Sequence, residues 1–157
     1  MRIGDHSLGE HIRLLVPLFV FIAGVWVLRL ALHEMGVLHA LVHVVSITVA
    51  TSLALLFAVV LIHVRGFGSY PSVVVSNALL VAWAQLLIVV AIIFSVLTGI
   101  ENVFTLPEFS RGNDPRHIKH ILGQLTVVVG IGVLFGSAFG CLIMWMLRRV
   151  LPERGRT

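Results

Sequence analysis

The sequence predicts an all-α integral membrane protein, a four-helix (tetraspan) bundle forming one domain over residues 1–157. Three observations predict it. Four apolar runs, at about 14–32, 37–64, 72–100 and 116–147, each reach the roughly 20 residues a helix needs to cross a bilayer. Hydrophobic residues make up 59% of the chain and charged residues 11%, against about 45–50% and about 25% in ordinary soluble domains. With a mean hydropathy of +1.07, the chain has more apolar surface than a core of its size can hide from water. Finally, the runs lack the alternation of apolar and polar residues, over about ten positions, that a membrane β-strand requires.

The breaks between runs have physical causes. His33-Glu34-Met35-Gly36 is a tight polar turn, and Arg65-Gly66-Phe67-Gly68-Ser69-Tyr70-Pro71 joins charge to two glycines and a proline. The third break, from Glu101 to about Pro115, is the longest. Its Asn113-Asp114-Pro115 reads as a cap followed by proline at the first helical position, so the fourth helix is expected to start there. Pro17 in the first run is expected to bend the helix only near its start. That first run is too long for a signal h-region and no small-x-small site follows it, so it is expected to be a retained span.

Charge sets the expected orientation. Four spans place both termini and the second connection on one side, with Arg2, Arg13, Arg65, Arg148, Arg149, Arg154 and Arg156. Arg29, Arg111, Arg116 and Lys119 lie on the other side. Seven against four favours cytoplasmic termini, and the short connections fit a bacterial inner (plasma) membrane. Tyr70 and Trp145 fit the inner aromatic belt. Arg29, a turn inside the end of its span, is expected to snorkel outward or to pair with Glu34 or Glu101. The net charge of +4 and pI near 10.6 belong to these membrane-flanking arginines, which anionic headgroups attract. No basic patch interleaved with aromatics points to nucleic acid.

Gly132, Gly136 and Gly140 recur every four residues in the fourth run. In lipid, helices gain nothing by hiding apolar surface from one another, so close backbone approach and dispersion drive their association. Glycines at this spacing make a groove along one face, drifting about 40° per step. The groove is contact surface, either for another helix of the same chain or for a second subunit. Asn77 and Gln85 in the third run are expected to serve as interhelical hydrogen-bonding groups, with a substrate path as the alternative. Cys141 stands alone, so it forms no intramolecular disulfide and reads as a small buried hydrophobe.

Five of the eight histidines fall on the face opposite the termini: His33, His39, His43, His117 and His120. His39 and His43 share one helix face, and His117, His120 and Gln124 another. With Glu34 and Glu101 they are candidates to line a vestibule that takes a divalent metal, a haem or a transported proton. Ordinary hydrogen bonding across helices and to headgroups explains the same residues. His6, His11 and His63 lie at the other end and cannot join them. Phe104, Leu106 and Phe109 in the third connection read as membrane-surface contacts or a short lid.

No nucleophile elbow, metalloprotease helix or phosphate-cradling glycine loop is present, and no acid sits at mid-membrane. The leading functional expectation is therefore a non-enzymatic membrane protein acting through helix contacts in the bilayer, as a homo-oligomer or with other membrane subunits. The alternatives are an ion or small-solute transporter or channel with a histidine-lined mouth, and a haem- or metal-binding protein.

Overall fold

Serines start the first three helices. The computed structural model describes residues 2–3, 6–36, 45–67, 69–106 and 118–151. A two-residue antiparallel ladder, β1 (Arg2–Ile3) with β2 (His6–Ser7), leads into α1 (Leu8–Glu34). Ser7 caps α1: its hydroxyl accepts from the Glu10 N–H, and the Glu10 carboxylate accepts from the Ser7 N–H at 2.6 Å. Ser46 caps α2 (Ile47–Val64) and Ser69 caps α3 (Tyr70–Thr98), each through its hydroxyl. Gly99, at φ 71°, ends α3 in the left-handed conformation that glycine adopts without strain. The fourth helix, α4 (Ile118–Val150), contains a π turn at Gln124–Val128.

All four helices are long and apolar enough to cross a membrane. The second is shorter than its apolar run suggests. Ser46 is extended, at φ −102° and ψ 134°, so the helix begins at Ile47, while 37–44 lie outside the described residues. The expected cap at Asn113-Asp114-Pro115 also lies outside them.

α2 and α3 pack together, and α1 and α4 each pack against both. Leu15 and Ile22 of α1, Val59 and Ile62 of α2, Leu80 and Ile92 of α3 and Met144 of α4 are fully buried in the shared core. Large side chains such as Phe57, Phe94, Leu134 and Phe135 face outward. In water they would form a continuous sticky surface; in lipid they are the expected coat. Burial is uneven. Of the most apolar eighteen residues, 44% are buried in α2 and in α3, 28% in α1 and 11% in α4.

Aromatic contacts gather the termini-side ends. The His6 ring stacks on Phe67 with centroids 3.7 Å apart, and His11 meets the same ring edge-on at 5.4 Å. His63 Nε2 lies 2.9 Å from the Leu151 carbonyl, and the Arg148 guanidinium lies over Tyr70 at 4.9 Å. Residues near both termini thus meet the connection between α2 and α3 at one end, as an even number of crossings requires.

Candidate functional site: the seam between α3 and α4

Antiparallel packing sets α4 against α3 so that a four-residue step along one matches a four-residue step along the other. Val81 faces Gly132, Asn77 faces Gly136 and Val73 faces Gly140. A Cβ at Gly132 would stand 3.1 Å from Val81 Cγ1, and one at Gly140 would stand 2.8 Å from Val73 Cγ1. At Gly136 it would stand 2.6 Å from Asn77 Oδ1. Each glycine removes a side chain where its partner needs the room. The groove read from the sequence is filled by α3 of the same chain.

Asn77, 1% exposed, uses that room to reach the α4 backbone. Its Nδ2 donates to the Val133 carbonyl at 3.0 Å, with the Gly132 carbonyl at 3.3 Å and the Ser137 hydroxyl at 3.1 Å sharing the same amino group. An amide in the bilayer interior needs such partners, and bonds of this kind contribute about 0.6–2 kcal/mol each. Cβ-less Gly136 is the condition for this approach.

One further four-residue step along α3 from Val81 leads to Gln85, in the direction of the π turn, which itself packs on α3. A π turn leaves a carbonyl without its usual i+4 N–H donor. Within this turn the Thr126 hydroxyl donates to the Leu122 carbonyl at 2.6 Å, competing with the backbone for that acceptor. From the start of the turn, Gln124 Nε2 reaches back to within 3.2 Å of Nε2 of the half-buried His120. Gln85 is 9% exposed, yet its Oε1 is buried without a partner. Among the described residues no hydrogen bond reaches either end of its amide. Asn77 and Gln85, alike in the sequence, therefore differ: one amide is answered three times and the other not at all.

The end away from the termini holds a feature the sequence did not reveal. After Gly99 the chain turns back along α3 until Asn102 Nδ2 donates to the Ala91 carbonyl at 2.7 Å, seven residues (about 10 Å) inside the end of the helix. Asn102 Oδ1 accepts from the Phe104 N–H at 2.9 Å, and Thr105 Oγ1 accepts from the Asn102 N–H at 3.0 Å. Ser95 Oγ lies 3.2 Å from the same hydroxyl. Polar backbone at this depth survives because its own side chains satisfy it. Val103 and Phe104 are buried by the turn and Leu106 packs half-buried on the core, so the expectation of membrane-surface contacts is corrected for these residues. Phe109 lies outside the described residues. Arg29 is corrected as well: instead of snorkelling it is buried, with its guanidinium over the Phe104 ring at 5.2 Å. The signal was present in Asn102-Val103-Phe104-Thr105, an asparagine-led turn three residues after Gly99.

Glu34 and Glu101 are exposed, and His33 is half-buried. His39, His43 and His117 lie outside the described residues. Among the described residues no three His, Cys, Asp or Glu side chains group as metal ligands. The divalent-metal and haem expectations thus rest on positions the structure does not describe. The sequence also undervalued the opposite end, where His6 and His11 bracket Phe67 and His63 is buried against Leu151.

A scan of protein-family models finds no match, and searches of curated proteins and of solved structures find none. The fold defines the class: four apolar helices packed around one core make this a helical integral membrane protein.

Proposed function

We propose that the protein is a non-enzymatic membrane subunit that acts by association, a second copy of the chain packing against the half of α4 remote from the termini. The carrying observation is that no residue from Ile118 to Phe139 is buried: outside the face that Gly132 and Gly136 press on α3, this half of the helix is left largely uncovered. Gly123 and Gly130, which flank the π turn, have nothing within 4 Å of a Cβ, in contrast to the filled positions of Gly132, Gly136 and Gly140. Small residues on an uncovered membrane helix suit close helix approach. The test is the protein mass in mild detergent. A dimer or higher oligomer that Gly130→Leu converts to monomer supports the reading. A wild-type protein monomeric at every concentration overturns it, and capture of a different membrane subunit replaces the second copy with that partner.

A second reading, passage of an ion or small solute along the α3–α4 seam, is supported by the unanswered Gln85 amide beside the π turn. π turns recur at functional sites because they disturb the regular ladder. Flux in proteoliposomes that falls at least about fivefold, roughly 1 kcal/mol of barrier, in Gln85→Leu supports it. Absence of flux for protons and common monovalent ions removes it.

A further inference from the structure

We infer that Gln85 and the π turn of α4 form an internal hydration site, in which water that enters from the end opposite the termini binds the Gln85 amide inside the membrane. The site rests on the seam that motivates the second reading, but not on transport taking place.

The argument begins with the amide. Gln85 is nine-tenths buried within a 29-residue apolar helix, and no protein group answers its oxygen. No hydrogen bond reaches its nitrogen among the described residues either. A buried amide left unanswered in an apolar setting is disfavoured strongly enough that native structures rarely keep one. Its complement must donate to one end and accept from the other, as a water molecule does.

The surroundings point the same way. Asn77 and Val81, the two residues preceding Gln85 at four-residue steps, both meet α4. The next step leads toward the π turn, where the packing loosens: Leu125, Val127 and Val128 are exposed, whereas Gly140 and Met144 further along are buried. Gln124, the first residue of the turn, and His120 before it continue the polar line toward the end of the helix. The line stops at Asn77, whose amide is taken up by α4. The geometry therefore gives hydration from one side only, ending between Gln85 and Asn77.

The chain contains two glutamines, Gln85 and Gln124, so glutamine-selective 15N labelling in lipid nanodiscs yields two side-chain amide groups. A Gln124→Glu variant assigns them. Magnetisation transfer from water to the Gln85 amide protons supports the site, and its absence overturns it. The second measurement uses thiol reactivity in a Cys141→Ser background. Because the thiolate reacts and needs water to form, Gln85→Cys should react with a small charged methanethiosulfonate at least about tenfold faster than Ile92→Cys, which replaces a fully buried residue of the same helix. Equal rates overturn the inference. Hydration without flux leaves it standing and removes only the passage reading.

Discussion

Gly136 and Asn77 show how one missing atom fixes an interface. The Asn77 side chain fills the volume that a Cβ at Gly136 would need, and its bonds to α4 hold it there. Gly136→Ala should therefore lower stability by about 1–3 kcal/mol, the usual range for overpacking a tight core. Asn77→Ala alone should also destabilise, by loss of the bonds to Val133 and Ser137. Combined, the two changes should cost less than their sum, because the smaller residue vacates the space. Thermal unfolding in detergent of the two single variants and the double variant checks this; strict additivity would mean that the two residues do not share one space. Both residues were legible in the sequence as contact groups. Their meeting was not, since it depends on the relative sliding of two helices that no local pattern encodes.

Along each helix, what the bilayer demands was easiest to read. A span must be long and apolar, and all four stood out. What neighbouring helices demand was harder. Ser46 starts α2 in the middle of an apolar run, and the turn at Asn102–Thr105 sinks into the bundle although its residues resemble an interfacial loop. Both depend on contacts remote in sequence. The uneven burial of α4 carries its own prediction. A nitroxide at Val127, 59% exposed, should collide freely with oxygen dissolved in lipid, while one at Val89, 6% exposed, should be shielded. Electron paramagnetic resonance with and without oxygen makes the comparison. If a second copy covers this face, the Val127 collision rate should drop as protein concentration rises.

At the scale of the whole molecule, alternation of direction decides which groups become neighbours. Contacts of His6 with Phe67 and of His63 with Leu151 gather both ends of the chain and the connection between α2 and α3. Reporters fused to the N- and C-terminus should accordingly score in the same compartment, and the arginine distribution predicts a cytoplasmic score for both. Opposite scores would contradict the fourfold crossing. Histidines at both ends were visible from the start, but the end near the termini holds the described imidazole–aromatic contacts because Phe67 gives the rings a common surface.

The backward turn after Gly99 also imposes a chronology. Its seat is made by two helices: Ala91 of α3 accepts from Asn102, and Arg29 of α1 closes over Phe104. The Arg29 part of that seat exists only once α1 and α3 stand side by side, so full closure of the loop is expected to follow the pairing of these two spans, as a latch that closes on a bundle already assembled.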